Sequence, residues 1–496
     1  MLDVVLFCEG TYPFIAGGVS SWIHTLISAM PELKFGIVFL SPGRSFKKEL
    51  KYPLPPNLVE FVEVYIYDVR LVRQNPQRNS EQEEAAWAAL ENFSAGIIDG
   101  RWREIADLFQ ALGYPPRLSL EEMAFSDRAW DILLRQYHRC APHLSFVDFF
   151  WTWRFIHFPL FQLLNAPIPQ ARVYHTVTTG WSGLLAALAK IRSGRPLLLT
   201  EHGIYTNERR IEIVKADWIY VEALQADGGQ AFGFLKSLWI HLFQALGHLC
   251  YDMSDQIYTL YGGNKVKQVA AGADPDKIEI IPNGVRIDLF DRPDVSAENP
   301  QEFTIGFVGR VVPIKDVLTL IRACKIVGEA VPQARTYIIG PTDEDEEYFK
   351  QCRDLVETLG LRDKVIFTGP QDVKQWYPKL DALVLTSISE GQPLVILEAF
   401  VGGVPCVATD VGACSEILLG GEESDRQLGP AGFVTQVGSP YETAAALIQL
   451  ARDPVLAERQ RQAGRQRVRR YYDHCDMIRR YSDIYKKWMQ YGRDRI

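Results

Sequence analysis

Two glutamates, Glu390 and Glu398, stand with seven residues between them in DALVLTSISEGQPLVILEAF, positions 381–400. An apolar run ends at Ser387, a short loop carries Glu390, Gly391 and Gln392, and Pro393 with Leu394 opens a stretch read as helix. Proline in a first helical turn pre-sets the backbone and gives up only an N–H that has no intrahelical acceptor. Loop and helix start therefore offer N–H donors and a partial positive charge suited to an anion, phosphate above all. A carboxylate one turn further in would repel a diphosphate, so Glu398 suits neutral hydroxyls such as those of a ribose. Glu390, on the loop, reaches a sugar hydroxyl or bears on charge at a reacting carbon. Two glutamates at a chosen spacing are common in any buried βα unit. Strand, glycine loop, proline and both carboxylates together are not.

A second segment, FVGRVVPIKD at 307–316, ends a strand in Gly309, followed by Arg310 and, five residues later, Lys315. A planar guanidinium and an ammonium on one strand-end loop can neutralise a diphosphate leaving group. That is stabilisation of charge that grows in the transition state. Taken alone, the pair also fits two solvated loop cations.

Elements must bring these loops together. The chain opens with the apolar strand DVVLFCEG, the loop TYPFIAGG, the helical VSSWIHTLISAM and the strand FGIVFLS, a βαβ unit that implies a parallel sheet. Residues 75–165 have helical spacing with interleaved aromatics and read as a helical insertion. Alternation resumes with ARVYHTV, GLLAALAKIRSG and RPLLLTEHG, and 234–250 aligns five leucines on one helical face. In the second half EFTIGFVGR, ARTYIIG, KVIFTG, DALVLTS and GVPCVATD are short apolar strands between helices, as in a parallel sheet covered on both faces. The Pro-, Asn- and Asp-rich stretch around 278–302 suits a linker. Open parallel sheets bind ligands at the carboxyl ends of their strands, where both motifs lie.

Composition sets the outer limits. The 496 residues suggest two or three domains, and 47% apolar with 23% charged residues excludes a disordered chain. With 53 Lys+Arg against 61 Asp+Glu, a net charge of -8 argues against a general nucleic-acid binder but permits a local phosphate pocket. Eight scattered cysteines without a CxxC pair fit a reducing compartment. Nine histidines without HxxxH or HExxH spacing give a zinc site no support. The start, MLDVVLFCEG, reads as a strand and not a signal peptide. Asp148, Arg154, His157 and Pro159 interrupt the most apolar stretch. A cytoplasmic protein without a membrane span is expected.

In order along the chain, these motifs resemble the family-4 retaining glycosyltransferases. Glu390 and Glu398 match that family's E-x7-E motif, and Arg310 and Lys315 match its phosphate pair. Gly17 and Gly18 match its N-terminal glycine loop, and Gly369 with Pro370, Gln371 and Val373 its nucleobase loop. The resemblance implies an α/β GT-B fold of two facing Rossmann-like domains, 1–288 on the acceptor side and 289–470 on the nucleotide-sugar side, with a helix 471–496 crossing back. It also implies donor contacts from Gly17, Gly18, Gly309, Gly391, Gln392, Pro393 and Leu394, no metal cofactor, and front-face attack with the donor phosphate acting as base. The segments CEGTYPFIAGGVSSWIHTL and TEHGIYTNERR are similar to a narrower group, the PelF-type glycosyltransferases of Pel exopolysaccharide synthesis. That implies a UDP-sugar donor, a glycan acceptor and inner-membrane synthase subunits as partners.

His202, ending RPLLLTEH, matches the family's histidine near the donor sugar, though a lone strand-end histidine is also a common structural residue. His175 reads as structural first. Glu9, Tyr205, Asn207 and Arg209 are candidates for the acceptor side, with Glu201 beside them. PNGV at 282–285 resembles the family's hinge, but the usual aspartate after Val is absent, which leaves Asp288 without a clear role. Gly412 matches a strand-end glycine. The aromatic insertion and the leucine-lined helix at Trp239 could be core, or could contact a partner or membrane surface. Two other functions fit the same architecture: a nucleotide-sugar epimerase, and a non-catalytic nucleotide- or glycan-binding subunit of a synthase.

Overall fold

A computed structural model of the chain describes residues 1–45, 49–68, 80–216, 219, 233–291 and 302–491. The chain divides into two compact units. The first comprises Met1–Thr259, Lys265–Glu279 and Tyr481–Ile496; the second comprises Leu260–Asn264 and Ile280–Arg480. The expected linker's distal part, 292–301, and the insertion's first residues, 75–79, lie outside the described residues.

The first unit holds strands β1 (Leu2–Glu9), β2 (Phe35–Ser41), β3 (Leu58–Tyr65), β4 (Ala171–Thr176), β5 (Leu197–Glu201), β6 (Gln256–Thr259) and β7 (Ile278–Ile280). They form one sheet in the order β3-β2-β1-β4-β5-β6-β7. Every residue of β2 is buried, as are Val4 to Cys8 of β1, because helices cover both faces of a parallel sheet. The sequence reading passed over β3, β6 and β7. β3 is a half-exposed edge strand interrupted by Glu60 and Glu63, so it has no continuous apolar run to announce it.

Between β3 and β4 lie five helices, Ser80–Asp99, Glu104–Leu112, Leu120–Phe125, Asp127–Cys140 and Phe146–Leu163, the expected insertion. Ser119 and Glu122 close a reciprocal capping box at the start of the third. Phe93, Leu108, Phe149 and Ile156 join one core with Leu235, Leu238, Leu242, Leu246 and Leu249 of the helix Phe234–Met253. The leucine-lined helix, including Trp239, is therefore core and not a contact surface. By contrast Val147, Trp151 and Phe155 form an exposed stripe at four-residue spacing along Phe146–Leu163. Among the described residues no helix is long and apolar enough to cross a membrane.

His175 on β4 is fully buried, with Nδ1 bonded to the Tyr485 hydroxyl (2.7 Å) and Nε2 to Thr200 Oγ1 (2.8 Å). Its structural reading holds. Desolvation lowers its pKa to about 3, so it stays neutral.

The second unit holds β8 (Phe303–Val308), β9 (Ala334–Ile339), β10 (Val365–Gly369), β11 (Ala382–Leu385), β12 (Cys406–Thr409) and β13 (Gly432–Thr435). All pairs are parallel, in the order β10-β9-β8-β11-β12-β13. The sequence reading found the first five and missed β13, a glycine-led edge strand whose middle residues are only half-buried, so it lacks the apolar run of the central strands. Arg467 of the helix Pro454–Tyr471 is wholly buried and donates to Asp425 Oδ1 at 2.6 Å. Its other N–H groups reach the carbonyls of Ile417, Leu418, Asp425 and Gly429, so the charge is satisfied on every side.

Candidate active site

In each sheet the strand order reverses at one point, between β8 and β11 in the second unit and between β1 and β4 in the first. At such a point the loops leaving neighbouring strands diverge to opposite sides and open a crevice at the carboxyl edge.

In the second unit this crevice holds the motif residues. The loop after β8 runs through Gly309 and Arg310 into the 3-10 turn Pro313–Lys315, and Lys315 Nζ donates to Glu390 Oε1 at 2.5 Å. The two side chains are only 18% and 12% exposed, so the pair lies largely out of water. Ser387 Oγ donates to the same carboxylate oxygen at 2.6 Å. Backbone stitches hold the two loops together: Ile388 N–H donates to the Ile314 carbonyl (2.8 Å), and the Thr386 hydroxyl reaches the carbonyls of Lys315 (3.1 Å) and Asp316 (2.9 Å). Asp316 itself takes φ 44°, uncommon for a residue with a Cβ, and caps the helix Val317–Ala330 by accepting from Thr319 N–H.

Arg310 is exposed and donates to Glu344 at 2.7 Å, so the structure does not bring it into the Lys315–Glu390 pair. Gly369 ends β10 at φ 68°, and a Cβ there would meet nothing within 4 Å. Gln371 donates to the Thr368 carbonyl, and Val373 begins a 3-10 turn capped by Asp372. Two details differ from expectation. Pro393 is the residue preceding the helix Leu394–Val401 and not its first residue, with extended backbone (ψ 107°) and no side chain capping that helix. Gln392 is 8% exposed, and its side chain clamps Asn283, accepting from its N–H (2.7 Å) and donating to its carbonyl (3.1 Å). That amide is spent on the Asn283 loop, which leaves only backbone at 392 for a ligand. Asp288 is paired with Arg286 on the surface.

Glu398 Oε2 accepts from the Tyr377 hydroxyl at 2.7 Å. Desolvation holds its carboxyl above the usual range, opposed by Tyr377 and by the Lys374 ammonium. Gly412, at φ 57°, lies against the Glu390 loop: a Cβ there would come 2.3 Å from the Gly391 carbonyl oxygen and 2.4 Å from that of Glu390. Ala413 N–H donates to the same Gly391 carbonyl at 2.8 Å. Tyr377 and Ser387 escaped the sequence reading. Ser387 stands three residues before Glu390 and could have been suspected; Tyr377, on a separate turn, gives no signal in spacing.

In the first unit, Glu9 leaves β1 at the switch point. It accepts from Ser182 N–H (3.1 Å) and from the Tyr205 hydroxyl (2.5 Å), while the Arg209 guanidinium lies 5.0 Å from the Tyr205 ring centroid. Burial pushes Glu9 up, against these donors and Arg209. Three of the four acceptor-side candidates thus share one cluster, and Asn207 stands apart, exposed on the helix Tyr205–Lys215. Glu201 is 1% exposed and takes donors from Thr179, Tyr205 N–H, Tyr251 and Gln268, a structural carboxylate. His202 meets Trp22 edge-on at 4.9 Å, and desolvation lowers its pKa to about 4. Gly17 precedes the helix Gly18–Ser28 in extended conformation, and a Cβ on Gly17 or Gly18 would meet nothing within 4 Å.

Residues 2–276 match the family model described as Domain of unknown function (DUF3492). The chain belongs to the DUF3492 family. Residues 291–467 of this DUF3492 chain match the model described as Glycosyl transferases group 1, which takes in Arg310, Lys315, Glu390 and Glu398. This segment is thus similar to group 1 glycosyltransferase domains. The chain is 32% identical over 171 residues to a D-inositol 3-phosphate glycosyltransferase of Mycobacteroides abscessus, covering 32% of this chain and 35% of that one. It is 31% identical over 174 residues to an N-acetyl-alpha-D-glucosaminyl L-malate synthase of Bacillus anthracis, covering 35% and 42%. The matches thus span less than half the length of these curated relatives. Among solved structures, Anabaena HepE in complex with UDP aligns over 97% of this chain and 99% of its own, with TM-score 0.59 and 14% identity. Sucrose-phosphate synthase from Thermosynechococcus elongatus aligns over 97% and 98%, with TM-score 0.57 and 15% identity. The likeness shows the fold of this DUF3492 chain, GT-B.

Proposed function

We propose that the protein is a retaining glycosyltransferase that moves a hexosyl or N-acetylhexosaminyl unit from a UDP-sugar to a growing bacterial exopolysaccharide of the Pel type. The observation that carries this reading is the Lys315–Glu390 pair at the switch point of the second sheet, beside the uncapped helix Leu394–Val401. A cation, a carboxylate and helix N–H groups converging on one strand edge suit a leaving diphosphate and a polar sugar. Lys315 and Arg310 would meet the diphosphate, Glu398 the ribose hydroxyls, and Glu390 the transferred sugar. The family resemblance would assign His202 to the donor sugar and the Glu9–Tyr205–Arg209 cluster to the acceptor. No residue in this reading acts as a covalent nucleophile, so the donor phosphate would take the acceptor's proton, and no metal is required.

UDP as the nucleotude carrier is favoured by the structural relatives, since HepE is solved with UDP and with UDP-glucose. Assignment to Pel-type synthesis rests on the segments around Gly17–Gly18 and His202. In that setting the protein would act in the cytoplasm beside inner-membrane synthase subunits.

A thermal-shift panel of UDP-, GDP- and ADP-sugars tests the donor, and stabilisation by UDP-sugars alone is the expected result. Acceptor-dependent release of UDP, lost in Glu390→Ala, is expected next. Isomerised free nucleotide sugar would instead identify an epimerase. Full transfer by Glu390→Ala would remove the glutamate from the mechanism.

A further inference from the structure

Tyr377 opens a 3-10 turn, Tyr377–Lys379, between β10 and β11 and is 1% exposed. Its ring packs edge-on to Phe290 at 5.8 Å, and its Cβ lies 3.0 Å from where Gly402 would carry one, so the ring has little freedom. A phenol has a single proton to donate, and here it goes to Glu398 Oε2 at 2.7 Å. Among the described residues no hydrogen bond is made to the other oxygen, Oε1. A carboxylate gripped by one oxygen and open at the other is arranged to receive a ligand hydroxyl.

We propose that Tyr377 is a positioning residue for donor binding: its hydroxyl locks the Glu398 carboxylate so that Oε1 is left to accept from the ribose of a nucleoside diphosphate. This rests on the reading of Glu398 given above as the ribose ligand. The same bond has an electrostatic consequence. Burial favours the protonated acid at Glu398, and the Tyr377 hydroxyl and Lys374 ammonium are what oppose it. Of the neighbouring elements, the helix Pro454–Tyr471 brings Arg465 against Gly403 and Arg461 against Asp381; β12 brings Cys406 towards Tyr377, and the turn Ile287–Phe290 brings Asp288, paired with Arg286. Without the phenol, Glu398 protonates at higher pH, and a protonated carboxyl is the weaker acceptor. Ligand affinity is then lost first on the acid side.

The test is calorimetric titration of UDP into the full chain, comparing wild type, Tyr377→Phe, Glu398→Gln and the double variant. Tyr377→Phe is expected to weaken UDP about tenfold at about pH 6 but less than threefold at about pH 8. In the Glu398→Gln background the same change is expected to add nothing at either pH. Equal weakening at both pH values, or none beside a clear loss in Glu398→Gln, overturns the positioning role while leaving Glu398 as the ribose ligand. Unchanged affinity in Glu398→Gln removes that parent reading and the proposal with it. If Tyr377→Phe does not fold, a difluorotyrosine at 377 donates more strongly in the same shape. It should move the acid-side loss to lower pH, and an unmoved profile overturns the proposal.

Discussion

Lys315 and Glu390 carry opposite charges in a site that water reaches poorly, and neither is placed there for stability alone. A paired charge at this depth offsets its own desolvation and little more, whereas removing one partner strands the other. Lys315→Ala should therefore lower the melting temperature by a few degrees and reduce kcat/KM by roughly 10²–10³. Adding Glu390→Gln should restore the melting temperature and leave the activity low. Melting curves and steady-state kinetics of the three variants check this, and recovery of activity together with stability would count against a chemical role. Arg310 makes the opposite case. Its partner Glu344 is a surface contact with both side chains about half exposed, worth about 0–1 kcal/mol. Arg310→Ala should leave the melting curve in place and raise the donor KM; a melting-temperature shift with unchanged KM would make it structural.

At the scale of elements, both sheets place a carboxylate at the point where strand order reverses, Glu390 in one and Glu9 in the other. The shape of the Glu390 loop is set from the next strand over, by Gly412. Its left-handed backbone and the Gly391 and Glu390 carbonyls, 2.3 Å and 2.4 Å from any added Cβ, leave room for hydrogen only. Gly412→Ala should cost more than the 1–2 kcal/mol of an ordinary left-handed alanine, because the loop itself must move. The expected readout is a lowered melting temperature together with lost UDP stabilisation, and retention of UDP binding would show that the loop yields without consequence. Sequence reading located these loops well, since apolar runs ending in glycine mark parallel strands reliably. It missed β3 and β13, partly exposed strands at a sheet edge, and β6 and β7, where Gln256 and Glu279 interrupt already short apolar runs.

Across the whole molecule, acid should act on the first unit through its histidines. His157 and His202 are held at about 4 and His175 at about 3, all by desolvation, against an ordinary value of 6.5. Between about pH 6.5 and about pH 4 the unfolded chain binds protons that the native chain refuses, so stability falls as pH falls through that window. Glu9 and Glu201, raised by burial, act with the opposite sign: their native forms hold protons more tightly, and that contribution grows as pH drops. His24 and His248 are also lowered by desolvation, and Glu208 is also raised by burial, so five histidines against three carboxylates predict a net loss of melting temperature on acidification. His157→Gln should flatten the slope, and an unchanged slope would show that this histidine is not the proton acceptor.

By itself the sequence determined the architecture and the identities at the strand ends. Apolar runs, glycines and the E-x7-E spacing are local properties of the chain, set by what each short segment can bury and how it can turn. It could not say which side chains would be left for a ligand. Gln392 is spent on Asn283, Glu201 is enclosed by four donors, and Tyr377 closes on Glu398 across an intervening strand. Those pairings join residues far apart in the chain. They follow from packing and from the need to give each buried polar group a partner, and only the tertiary structure decides them.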